Sequence, residues 1–233
     1  MKKIIFILFV LLAANIDSFS QVKFGADVYS RYIWRGIDFG NSPAFQPSLT
    51  FTTGGLSIGA WGSYAFPTAG TTYSENDLWA TYSISSEKSG TFSILFTDYY
   101  IPSAGIQFGF YKPKTSGSAA HTVEGGLSYV GPESVPISFV FYTNLSNDPE
   151  NSSYIQVGYP IAVGDATVTF AAGFVPSKCV YYLTDKSGFI NLSITAAKSI
   201  AITDKFSVPI NVSYIANPAL DKTYLAFGAG FIF

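Results

Sequence analysis

The chain ends Thr223-Tyr-Leu-Ala-Phe-Gly-Ala-Gly-Phe-Ile-Phe233, and the reading of this stretch decides the fold. Leu225, Phe227, Ala229, Phe231 and Phe233 fall on one face, and the chain stops on the aromatic. A period of two belongs to a strand with one apolar side.

Working outward, the same period governs the chain from Val22 onward, with no sustained helical stripe. Val22, Phe24, Ala26, Val28, Tyr32 and Trp34 share one face of the first segment, and Lys23, Asp27, Arg31 and Arg35 share the other. Leu56, Ile58, Ala60, Tyr64 and Phe66 oppose Ser57, Gly59, Trp61 and Ser63. Leu78, Ala80, Tyr82 and Ile84 oppose Asp77, Trp79, Thr81 and Ser83. Charged residues make up only 12% of the chain and aromatics 17%, with mean hydropathy +0.28. Beyond the N-terminus no segment is both apolar and long enough for a transmembrane helix. Hydrophobicity spread through alternating strands suits a barrel whose lipid face takes every second residue. A midplane Arg or Lys on that face costs about 2–4 kcal/mol. The charged set is therefore expected to point inward.

The pattern predicts an all-β fold, a transmembrane antiparallel β-barrel of about 12 strands in up-and-down order. The strands are expected at 22–35, 45–53, 56–66, 75–85, 91–101, 121–130, 136–144, 153–160, 167–175, 189–197, 206–215 and 223–233. Connections after odd-numbered strands, such as 36–44, 102–120 and 176–188, are longer than those after even-numbered ones, such as 54–55 and 86–90. Outer-membrane barrels show this asymmetry, with short turns on the periplasmic side. Ile106 to Tyr111 also alternates and predicts a hairpin extension. Pro47 and Pro209 lie inside expected strands and predict a bulge or a shifted boundary at each.

Met1-Lys2-Lys3, the apolar run from Ile4 to Ala14 and the small-residue exit Ser18-Phe19-Ser20 read as a signal peptide over residues 1–20. The barrel would then occupy 21–233, exported to the bacterial outer membrane. One cysteine, Cys179, excludes an internal disulfide, and a net charge of -2 offers no basic surface for nucleic acid.

The final segment resembles the C-terminal strand of outer-membrane proteins, in which the last aromatic, here Phe233, serves the barrel-assembly machinery as an assembly signal. The chain also resembles the TorF-type porin family of conserved hypothetical outer-membrane proteins. Tyr29-Ser-Arg-Tyr-Ile-Trp-Arg35-Gly36 is similar to that family's opening strand, Glu75-Asn-Asp77-Leu-Trp-Ala-Thr-Tyr82 to its acidic segment, and Asp98-Tyr-Tyr-Ile-Pro102 and Glu124-Gly-Gly-Leu-Ser-Tyr129 to the strands that follow. The resemblance implies a barrel in outer-membrane lipid and supplies little mechanism.

The expected pore-lining charges are Lys23, Asp27, Arg31, Arg35, Glu75, Asp77 and Glu124. Fixed charges in a water-filled lumen set solute selectivity. The same charges could instead pair and fill the interior, since about twelve strands lie between the filled small barrels and the open large ones. Passive diffusion of small hydrophilic solutes is the leading expectation, with no cofactor, metal site or catalytic residue. A closed structural or adhesive barrel acting through its outer loops is the alternative. His121, the sole histidine, offers a weaker third, a hydrolase. Lys112 and Lys114 with Tyr111 lie in the longest connection, 102–120, as a constriction or an outer contact surface.

Overall fold

The computed structural model describes residues 21–67, 73–110, 119–204 and 206–232. Residues 1–20, Tyr111, Lys112, Lys114 and Phe233 lie outside them, and so does what the sequence predicts for each. The chain runs through β1 (Gln21–Tyr29), a short hairpin of β2 (Tyr32–Trp34) and β3 (Ile37–Phe39), then β4 (Ala44–Thr53), β5 (Leu56–Ala65), β6 (Ser74–Ser86) and β7 (Gly90–Tyr100). It continues through β8 (His121–Val130), β9 (Ser138–Asn144), β10 (Ser153–Val163), β11 (Ala166–Val175), β12 (Gly188–Thr203), β13 (Phe206–Asn217) and β14 (Lys222–Ile232). Twelve strands, all but β2 and β3, close one antiparallel barrel in which each pairs with its neighbours along the chain.

Alternation sorts the side chains to two sides of this wall. Cross-strand partners Leu56, Tyr82, Ile94, Leu127 and Phe141 form one outer row. Ile84 and Leu225 on the outer face are 67% and 70% exposed. An exposed belt of this size belongs against another apolar phase. Ser57, Thr81, Leu95, Gly126, Tyr142 and Tyr154 form an inner row. That row starts beside a short turn on β5 and ends near a long connection on β10, as strand tilt in a barrel requires.

Inside, large rings lie on glycines. Gly59 faces Trp79 and Gly126 faces Tyr142 across their ladders. A Cβ on Gly126 would stand 2.4 Å from a Tyr142 ring carbon. The same device closes the seam, where β14 returns to β1 in register from Gly25↔Ile232 to Tyr29↔Gly228. A Cβ on Gly228 would meet the Tyr29 ring at 2.3 Å. Closure leaves no free edge in the barrel wall.

Three expectations change. The first strand leaves the wall at Tyr29 rather than at residue 35, and residues 30–43 carry the hairpin instead. Ile106 to Phe110 form no strand, and only a 3-10 turn, Pro102–Ala104, precedes them. Pro47 causes no bulge: the β4–β5 register runs unchanged from Phe45↔Tyr64 to Ser48↔Trp61, and only the pairs between are missing. Pro209 keeps its register with Ser199 and lies one residue beyond the last β13–β14 pair, Ile210↔Ala229, where the missing N–H has no ladder to break.

The core sits in the half of the barrel nearest the long connections. Ile37 from the hairpin, Tyr154, Val175 and Ile190 from the wall, and Cys179 and Tyr182 from the connection after β11 pack together there, with Trp34, Phe39, Tyr142 and Tyr181 against them. Among the described residues two connections have thus folded inward. The half nearest the short turns has small inner side chains, such as Ser83, Ser93, Ser128 and Ser138.

Candidate functional site

The site is built on the turn of the inward hairpin. Trp34-Arg35-Gly36-Ile37 has positive φ at both corners, 50° at Arg35 and 80° at Gly36, the pattern of a two-residue primed turn. Glycine takes that conformation freely, whereas arginine is strained in it. A Cβ on Gly36 would also stand 1.9 Å from the Ile190 carbonyl oxygen, so the tip reaches the far wall. Asn217, on the strand before the last, donates to the Gly36 carbonyl at 3.0 Å.

The contacts of the side chain offset the strain at Arg35. Its Nη1 and Nη2 donate to Glu124 Oε2 and Oε1 at 2.6 and 2.8 Å, a two-pronged ion pair, and Nη1 also donates to the Tyr182 hydroxyl. Tyr99 adds a hydrogen bond to Glu124 Oε1 at 2.9 Å. The guanidinium carbon lies 4.2, 4.3 and 4.8 Å from the ring centres of Tyr142, Trp34 and Tyr154. Both charged side chains are shut away from water, 9% and 2% exposed. Pairing and hydrogen bonding make such burial tolerable, and removal of one partner strands the other. Burial pushes the Tyr182 hydroxyl up, with Arg35 acting against it, so it stays a neutral partner.

Tyr182 is held from behind. Cys179 and Thr184 pair their backbones across the turn, and Glu150 accepts from the Val180 amide at 2.7 Å. Glu150 belongs to the 145–152 connection, which turns around Asp148. That carboxylate accepts from Asn144 Nδ2 at 2.9 Å and from the amides of Ser152 and Glu150 at 2.8 and 3.1 Å. Burial pushes the Asp148 carboxyl up, but these bonds outweigh it and hold it below the usual range.

The remaining predicted charges separate into groups. Arg31, on the hairpin rather than the wall, pairs with Asp38 and with Asn41 Oδ1. Glu75 and Asp77 lie on the inner face of β6, buried, where Glu75 accepts from the Tyr73 hydroxyl at 2.7 Å and Asp77 Oδ1 has no hydrogen-bond partner among the described residues. Tyr32 stands over Trp61 beside them, ring centres 5.4 Å apart. Lys23 and Asp27 remain on β1 with inward registers, Lys23 opposite Thr50 and Asp27 opposite Gln46. Two of the seven are therefore on an inward arm, and Arg35 is brought onto Glu124 from 89 positions away.

Two cavities of about 330 Å³ each flank the hairpin. One is bounded by Trp34, Arg35, Thr97, Glu124, Tyr142 and Gln156, the other by Asp27, Arg31, Tyr32, Gln46 and Trp61 among others. Sequence reading missed the aromatic members Tyr99, Tyr142, Tyr154 and Tyr182. An available signal was Gly36 directly after Arg35, between the apolar Trp34 and Ile37, a turn residue at the expected end of the first strand.

His121 belongs to neither cavity. It lies opposite Tyr100 on the outer face, its ring stacked on Tyr100 at 5.1 Å. Asp98 Oδ1 is 2.9 Å from Nδ1, and the Phe108 carbonyl oxygen 2.7 Å from Nε2. It pins the connection after β7 to the rim of the wall.

A family model described as a bacterial protein of unknown function (Gcw_chp) matches residues 13–227. No curated protein matches the chain. Among solved structures, the translocator domain of the autotransporter NalP from Neisseria meningitidis is similar at a TM-score of 0.44 and 9% identity, over 100% of this chain and 95% of that one.

Proposed function

For this chain, which belongs to the Gcw_chp family of bacterial proteins of unknown function, we propose an outer-membrane barrel that passes small hydrophilic solutes through a lumen narrowed by its own hairpin. The carrying observation is the contrast across one wall: an exposed apolar belt outside, and small polar residues such as Ser83, Ser93 and Ser128 inside. An apolar exterior fits outer-membrane lipid, and a polar interior fits water. The short-turn end faces the periplasm in this reading, so the hairpin plugs the extracellular half. The resemblance to the TorF-type porin family points the same way, as does the expected signal peptide at residues 1–20 and the expected recognition of Phe233 by the barrel-assembly machinery.

The test is conductance of the folded protein in a planar bilayer, with folding checked by gel mobility before and after boiling. The intact chain should give small unitary steps, and a variant in which a short Gly-Ser turn replaces residues 31–42 should give steps severalfold larger. Silence from both, with folded protein in the membrane, would overturn the reading. The clamp of Arg35 on Glu124 favours one second reading, a closed barrel acting through its outer loops. That reading expects silence from the intact chain and loss of surface binding when an outer loop is cut.

A further inference from the structure

The cavity beneath the hairpin tip has a chemistry of its own. Arg35 and Glu124 cancel each other through two hydrogen bonds, so the cavity offers neither a free cation nor a free anion. Its wall is aromatic, with Trp34, Tyr99, Tyr142 and Tyr154 all bordering it. Gln156 Oε1 already accepts from the Tyr154 hydroxyl at 2.6 Å and from Asn191 Nδ2 at 3.0 Å, which leaves its Nε2 as a spare donor. The hydroxyls of Thr97 and Tyr142 border the same space and have no hydrogen-bond partner among the described residues. A volume of about 330 Å³ stands at the small end of ligand pockets. Toward the short turns Leu95 and Val140 border the cavity, and the wall continues below them in Ser93, Ser128 and Ser138.

Aromatic side chains combined with uncharged donors and acceptors suit a ligand that carries hydroxyls around an apolar ring. We propose that this cavity binds a neutral polyhydroxylated solute, a small sugar, against the underside of the hairpin. The proposal rests on the lumenal passage argued above and names the class of solute that pauses there. A charged solute would have to break the Arg35–Glu124 pair, which costs more than a new contact restores.

Trp34 reports on the site. In the folded full chain carrying Trp61→Phe and Trp79→Phe, titration with maltose should change Trp34 emission in a saturable way. Glycine betaine, a zwitterion, and inorganic phosphate should not. Thr97→Val with Tyr142→Phe keeps the shapes, removes both hydroxyls, and should weaken the maltose response at least tenfold. No saturable response to maltose, a response indifferent to those substitutions, or a stronger response to phosphate would each overturn the proposal. Conductance of the same preparations separates the two levels. Channels that conduct without sugar binding sink this site alone, and sugar binding in a silent barrel sinks the passage while the site stands.

Discussion

The two halves of this barrel share one wall and differ in what fills it. Toward the short turns most inner residues are small and hydroxyls recur among them, as in the Ser83–Ser93 pair at 2.8 Å. Toward the long connections the same inner face carries Glu75, Asp77, Tyr99, Glu124, Tyr142 and Tyr154, and two inward segments pack against them. One half is a lined tube and the other resembles a small globular core. Stability should therefore concentrate at the plugged end, while any passage is set there too.

The largest effect on that contrast should come from Glu124→Ala, which leaves Arg35 buried without its carboxylate. Breaking a buried pair from one side costs about 3–5 kcal/mol. Amide exchange should then rise sharply at residues 32–39 and stay protected on the strands near the short turns. Uniform loosening of the whole barrel would mean that the two halves are one cooperative unit.

Gly36→Ala should act in the same place and less severely. The added Cβ meets the Ile190 carbonyl and the positive φ disfavours it, for a loss of more than about 1 kcal/mol. Unfolding in urea of chains carrying Trp61→Phe and Trp79→Phe, with Trp34 emission as the local probe, should show the hairpin releasing at lower denaturant than the wall. Coincident transitions, unshifted from those of the unaltered chain, would count against a tip packed on Ile190.

The smallest effect should be that of pH on the support behind Tyr182. Asp148 is held below its ordinary value, so its folded form binds a proton less readily than the unfolded chain does. Its contribution is then fully present above the ordinary aspartate range, about 3.9, and is lost as pH falls through the lower folded value. Loop 145–152 should keep its exchange protection from neutral pH down to roughly pH 4 and lose it below. Asp148→Asn should remove that acid transition, and a transition that persists in the variant would assign it to another group.

Alternation by itself determined the wall. Each strand needs only a local rule, apolar out and small or polar in, so the ladder from β4 to β14 could be read within about three residues at every end but that of β12, which runs on to Thr203. The charges at Glu75, Asp77 and Glu124 were legible as inward for the same reason. The inward course of the hairpin was not, because Tyr32 and Trp34 continue the period of β1 and differ from it only in facing the lumen instead of lipid. No local signal separates those two apolar surroundings. The tertiary structure alone decided that Arg35 meets Glu124, that three tyrosines from the wall and one from the connection after β11 surround them, and that His121 lies outside. Those contacts follow from closure of the barrel, which brings residues far apart in the chain around one axis and leaves a lumen wide enough for a connection to turn into it.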